Sequence, residues 1–597
     1  MQQFLEHVTI LTLSTPHKIS GKFHIKARSD NEPYSFLKYL LTTMCLRTFI
    51  YIYVIFSVYL ISHGYIIRTK NGKVRGLETK LSSNLTMYSY LGIPYARSPL
   101  GKLRFEPPVP SQQWSGIRDS TIQKSQCVQS RFATVRTNKI EGSEDCLYLN
   151  VYTSTLPDIN NNINYPVMVW IHGGGFYEGD NGYELYPPEN FVKQGIVVVT
   201  IAYRLGIFGF FHTGDLVSPG NNGIRDQIMA LKWVNENIEK FGGDKNKVTI
   251  SGESAGGMAV SHLILSPLSK GLFQKAIIQS GSSIMAPAIG EEQPIYAFTT
   301  GSLLGINTNN SQELVTKLRN VDFRELEAAS TRAGADTGQR LIAYTVVIEP
   351  KHQNAVISKS PYEMLENGEY NKVPILMGFN SNEGDGLPDM LLRSLLKESK
   401  LAPYNLVPIG LNLNASSDTN TINYVGTLIK EYYFPGSTTD YTDADFQHWF
   451  GDMVMTRALI QQGIFLSKHT VVYFYEFNCI GRLGNPLRTN WNAVGHAEEL
   501  NYLFTRRTQP RILSDDDKIC SQRVVKLWGN FIKFGNPTPN RDALLQGIIW
   551  PKTAPVPNMK YLHLDKNLSV RTNPNQKDYQ FWNNIFNTYG KRPFKIY

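Results

Sequence analysis

Gly252-Glu253-Ser254-Ala255-Gly256 follows the apolar run Val248–Ile250 and leads into another apolar stretch. A serine flanked two residues away on each side by glycine, between a strand and a helix, fits a sharp turn that exposes a nucleophilic hydroxyl. Side chains at the glycine positions would collide across such a turn. Taken alone, the five residues also fit a helix start with a serine near its N-terminus. A serine hydroxyl attacks only when a base takes its proton, and the tetrahedral intermediate needs donors for its oxyanion. The second need points to His172-Gly173-Gly174-Gly175-Phe176, directly after "VMVWI". The amides of Gly174 and Gly175, with that of Ala255, are the expected oxyanion donors.

These residues require elements that end at one place. "YPVMVWI", "GIVVVTI", "KVTISG", "QKAIIQSG", "KVPILMGFN" and "TVVYFYEFN" are short, continuously apolar runs. Unbroken β-branched runs fit strands covered on both faces. The stretch Ile224–Gly243 has helical spacing and a glycine stop, and a helix is expected from about Ala255. Alternating strands and helices predict an α/β fold with a large, mostly parallel central sheet under helices on both faces. In such sheets chemistry collects at the carboxyl ends of the strands.

Six stretches, in order, resemble motifs of the type-B carboxylesterase/cholinesterase family, which has the α/β-hydrolase fold. They are "GIPYARSPLGKLRFEPPVP" (Gly92–Pro110), "EDCLYLNVYT" (Glu144–Thr153), "HGGGF", "AYRLGIFGF" (Ala202–Phe210), "GIRDQIMALKWVNENI" (Gly223–Ile238) and "SGESAGG". Within that family the chain looks most like the arthropod general carboxylesterases. The resemblance implies a serine esterase with Ser254 as nucleophile, Glu383 in "VPILMGFNSNEG" as acid and His496 in "AVGHAEELNYLF" as base. Asp385 is the local competitor for the acid. The family pattern needs no cofactor and no metal. It also implies a Cys127–Cys146 disulfide, an Arg104–Glu144 ion pair, a partner acid for Arg204, and support of the histidine by Glu253 and Ser280.

Departures from the family narrow the substrate. Cholinesterases stack choline on a tryptophan inside the first disulfide loop. The loop here, "VQSRFATVRTNKIEGSED", has no tryptophan and carries Arg131, Arg136 and Lys139. Neutral carboxylic esters are therefore expected. Juvenile-hormone- or pheromone-type esterases are the alternative, although the former typically carry Gln where Glu253 stands. A non-catalytic, cholinesterase-like adhesion protein is the reading from a different class. It is opposed by the presence of all three candidate catalytic residues.

The chain has 597 residues, a net charge of +10 and 42% hydrophobic content. It lacks a long basic block or nucleic-acid motif, so its charge is read as scattered and no nucleic-acid partner is expected. Residues 44–63 read as a signal peptide behind an unpatterned extension, 1–43, with the esterase domain at 64–597. If the apolar run 48–62 is retained, it becomes a type II signal anchor and the membrane contact. Either reading puts the domain outside the cytosol. Sequons at Asn84, Asn309, Asn414 and Asn567 are candidate glycosylation sites. Cys479 and Cys520 are expected either to pair or to remain buried thiols. A small-molecule ester is the expected partner, and the sequence does not fix an oligomeric state.

Overall fold

The computed structural model describes residues 65–130, 139–156, 164–290, 294–336, 343–386, 396, 401–413, 418–437, 441–484, 493–506, 510 and 512–597. The targeting segment, Arg131, Arg136 and Asn414 lie outside them.

Eleven strands form the main sheet. In chain order they are β1 (Leu77–Ser82), β2 (Leu85–Pro94), β3 (Tyr148–Thr153), β4 (Tyr165–Ile171), β5 (Val197–Ile201), β6 (Gly243–Glu253), β7 (Lys275–Gln279), β8 (Ile375–Asn380), β9 (Val472–Phe477), β10 (Lys560–Leu564) and β11 (Ser569–Thr572). The spatial order is β11-β10-β9-β8-β7-β6-β4-β5-β3-β2-β1. Pairings from β5 through β4 and β6 out to β10 are all parallel. The edges are antiparallel: β1, β2 and β3 on one side and β11 on the other. The α/β architecture read from the sequence is the one observed. The antiparallel edges give no such signal, because β1 and β11 lie largely in solvent and carry no continuous apolar run.

Alternate side chains along a strand point to opposite faces, and β4 feeds two cores in this way. Val167, Val169 and Ile171 join one core, which includes Ile224, Ile228 and Leu231 of α1 (Asn222–Asn237) and Val260 and Leu263 of α2 (Ala255–Leu265). Met168 and Trp170 join the other. There they meet Val524, Leu527, Trp528 and Phe531, which are carried on a later helix (Asp515–Phe534). A strand buried on both faces cannot alternate polar with apolar residues, which is why these runs are continuous.

The direction of strand order reverses at β4, which lies between β5 and β6. Connections diverge at such a point and leave a crevice beyond the strand ends. The "HGGGF" turn leaves β4 there, and Ser254 leaves β6 beside it.

Two ion pairs brace this region. Arg104 binds Glu144 through two hydrogen bonds, 2.7 and 2.6 Å, next to the disulfide Cys127–Cys146. Arg204 binds Asp226 of α1 in the same two-pronged way, at 2.8 and 2.7 Å. A second disulfide, Cys479–Cys520, ties the segment after β9 to the helix that carries Trp528. The sequence left the state of those two cysteines open.

Candidate active site

Ser254 sits between β6 and α2 with φ 57° and ψ −125°. This is a backbone conformation that L-residues rarely hold unless their surroundings enforce it. The Ser254 amide donates to the Gln279 carbonyl at 2.9 Å, and its carbonyl accepts from the Met258 amide at 2.8 Å. The flanking glycines are sterically required. A β-carbon on Gly252 would lie 2.5 Å from the Gly256 carbonyl, and one on Gly256 would lie 2.1 Å from the Ile171 carbonyl oxygen. The β6–α2 turn is thus pressed directly against the end of β4.

His496 and Glu383 arrive from separate strand ends. Glu383 lies three residues past β8. Its Oε1 accepts from the Ser280 hydroxyl at 2.5 Å and from the Asn380 amide at 2.7 Å. Its Oε2 lies 2.6 Å from His496 Nδ1. The other ring nitrogen of His496, Nε2, lies 2.9 Å from Ser254 Oγ. Asp385, the local competitor, does not reach the imidazole. Its side chain accepts from Gln447, and its backbone carbonyl accepts from the His496 amide at 2.8 Å. Ser280 supports the histidine only through Glu383. Its positive φ of 47° and its amide bond to Gly378 hold the hydroxyl in that direction.

The glycine turn follows β4. Gly174 and Gly175 have φ of 101° and 61°. A β-carbon on Gly174 would meet the Glu178 carbonyl oxygen at 2.1 Å, and one on Gly175 would meet the Tyr177 ring at 2.3 Å. At Gly173 it would come 3.1 Å from the Ser254 β-carbon, so this turn lies against the serine. Among the described residues, neither the Gly174 amide nor the Gly175 amide donates to a backbone carbonyl. The His172 ring is stacked on Tyr203, with centroids 4.5 Å apart, and burial lowers its proton affinity, so it acts as neutral packing.

Acidic groups surround His496. Glu253 Oε1 lies 3.3 Å from His496 Nε2 and has no hydrogen-bond partner among the described residues. Burial pushes the Glu253 carboxyl up to about 8. The charges of Glu499 and Glu383 add to this, while His496 and Arg506 oppose it. At His496 burial works against the charged ring, but the charge of Glu253 and the bond and charge of Glu383 outweigh it and push the imidazole up to about 9. These two shifts are linked, because a proton on Glu253 removes a charge that favours the imidazolium.

Sequence reasoning passed over Gln279, Asn380 and Glu499, which lie behind the histidine. Glu499 was visible only as the second acid of "HAEEL", and Asn380 as the first asparagine of "FNSNEG". Gln279 had no signal.

Elsewhere, His448, Asp452 and Asp578 bring potential ligand atoms within 4.8 Å of one another. The oxygens are already engaged: Tyr433 and Asn575 donate to Asp452, and Tyr432 donates to Asp578. His448 is held charged between the two acids, pushed up to about 10 by its bonds to them. This trio is an ion-pair clamp.

The sequence model of the carboxylesterase family matches residues 63–582. The chain is a member of the carboxylesterase family. Pyrethroid hydrolase Ces2a of Mus musculus is 32% identical, over 86% of this chain and 90% of the relative. Juvenile hormone esterase of Tribolium castaneum is 32% identical, over 84% of this carboxylesterase and 89% of that protein. Among solved structures, juvenile hormone esterase from Manduca sexta, crystallised with OTFP covalently attached, superposes with a TM-score of 0.78. It is 28% identical and is matched over its whole length and 88% of this chain. This carboxylesterase is a carboxylic ester hydrolase with the α/β-hydrolase fold.

Proposed function

We propose that the enzyme hydrolyses neutral carboxylic esters through an acyl-enzyme on Ser254, with His496 as base, Glu383 as its orienting acid, and the amides of Gly174, Gly175 and Ala255 as oxyanion donors. The observation that carries this reading is the unbroken line Glu383–His496–Ser254, with links of 2.6 and 2.9 Å. Ser254 Oγ attacks the ester carbonyl carbon while His496 Nε2 takes its proton. Glu383 stabilises the resulting imidazolium. The carbonyl oxygen becomes an oxyanion facing the glycine amides. Collapse breaks the carbon–oxygen bond to the alcohol, which leaves with the proton from His496. Water then attacks the acyl group as His496 takes its proton. The carboxylic acid departs, and the proton returns to Ser254.

Relatives of similar identity are named for pyrethroids, acylcarnitine and juvenile hormone. Glu253 beside His496 sets this site apart from one with a neutral glutamine there, which supports general rather than juvenile-hormone esterase activity. Two disulfides support an oxidising compartment, hence secretion. The sequons Asn84, Asn309 and Asn567 are exposed, as attachment of a glycan requires.

The test is the hydrolysis of 4-nitrophenyl acetate. Ser254→Ala is expected to lower kcat by on the order of 10⁶-fold, and an organophosphate ester should form a stable adduct on Ser254, seen by mass spectrometry. Wild-type turnover by Ser254→Ala would overturn the assignment.

A further inference from the structure

Three carboxylates are buried around one histidine, and the reading above uses Glu383 as the acid and Glu253 as a neighbour. Glu499, fully buried, is the third. Its Oε1 accepts from Gln279 Nε2 at 2.9 Å and its Oε2 from Asn380 Nδ2 at 2.6 Å. An amide side chain can in principle be turned either way, but here both are fixed by partners with a single role. Trp528 Nε1, which can only donate, gives its hydrogen to Gln279 Oε1 at 3.0 Å. The Gly495 carbonyl, which can only accept, takes one from Asn380 Nδ2 at 2.7 Å. Both amides therefore present N–H to Glu499, and a proton on either of its oxygens would face a donor. Burial and the charge of Glu383 push this carboxyl up, while the two amide bonds oppose that shift.

Each amide also reaches the reacting groups. The Gln279 backbone carbonyl holds the Ser254 amide, and the Asn380 backbone amide holds Glu383 Oε1. Asn380 further holds the Gly495 carbonyl, adjacent to His496. The titratable groups around the cluster are Glu253, Glu383 and His496, with Arg506 acting on Glu253, and Tyr475, whose buried hydroxyl feels the charges of Glu499, Glu383 and Glu253 but bonds to none of them among the described residues.

We propose that Glu499 is a positioning residue held as a carboxylate, whose charge favours the His496 imidazolium formed during ester hydrolysis and whose two amide bonds hold the ends of β7 and β8 in register with the histidine loop. This rests on the Ser254–His496–Glu383 reading. Loss of activity in Ser254→Ala tests that reading, whereas the following experiment tests Glu499 alone.

The experiment is the pH profile of kcat/KM for 4-nitrophenyl acetate, read at the isosbestic wavelength, with thermal midpoints recorded alongside. Glu499→Gln removes one negative charge near the imidazole, so the imidazole binds its proton less tightly. The acid limb should move to lower pH, by less than Glu253→Gln moves it because Glu499 is the weakest of the acids raising the imidazole, and the plateau should fall. Glu499→Asp keeps the charge, and its limb should stay at the wild-type position whatever it costs in thermal midpoint. Should Glu499→Gln fail to fold, Gln279→Met removes one of the two donors and should move the limb in the same direction by less. A Glu499→Gln limb that stays in place, or equal limb movement in the Gln and Asp variants, overturns the proposal and leaves Glu499 a brace of the fold.

Discussion

At the scale of the residue, the site is governed by where protons rest. As the proposed base, His496 must have a neutral ring, so activity should rise with pH through the proton affinity of the imidazole. An isolated histidine would place that limb near 6.5. The carboxylates around His496 favour its charged form and move the limb upward. Glu253→Gln removes the largest of these raising influences, so its limb in kcat/KM should move to lower pH by roughly one unit. A limb that stays or rises would show that Glu253 does not act on the imidazole. Ser254 and its flanking glycines were legible in the sequence because a steric rule fixes residue type at each position. Glu383 was legible only through likeness to a family, since a carboxylate past a strand end has many local alternatives. Asp385 shows why. It is two residues away and equally acidic, and only the turn after β8 decides which of them faces the ring. Gln279 could not be read at all, because its role comes from neighbours more than 200 positions away in the chain.

At the scale of the element, the apolar runs that marked β4 to β9 were readable because a strand covered on both faces has a one-dimensional signature. The outer antiparallel strands depend on partners that no local pattern names. The His448–Asp452–Asp578 clamp is another product of assembly. It joins the helix at Asp443–Gly451 and the π-helical turn Asp452–Thr456 to the final helix, Gln576–Tyr589. The folded state raises the proton affinity of His448. Its contribution to stability is therefore complete below the unfolded value near 6.5 and is lost as pH rises through about 10. The thermal midpoint of the wild type should exceed that of His448→Ala at pH 6, and the gap should narrow steadily toward pH 10. A gap independent of pH would mean that His448 acts there through packing alone.

At the scale of the whole molecule, two disulfides and exposed sequons fit a protein that matures outside the cytosol. The mature N-terminus, read by mass spectrometry from secreting cells, should fall at or after residue 64; a start before residue 44 would exclude simple secretion. No helix among the described residues is long and apolar enough to cross a membrane. From β4 outward through β6, β7, β8, β9, β10 and β11, the sheet is laid down in the order in which the chain is made. The half of the site that receives charge, the glycine turn and Ser254, is therefore synthesised long before the half that moves protons. When β9 leaves the ribosome, Ser254 is already outside while His496, 19 residues beyond the end of that strand, is still covered. On the proposed roles, the serine of a nascent chain has no base until the segment that carries His496 has emerged, with about a sixth of the chain still to follow.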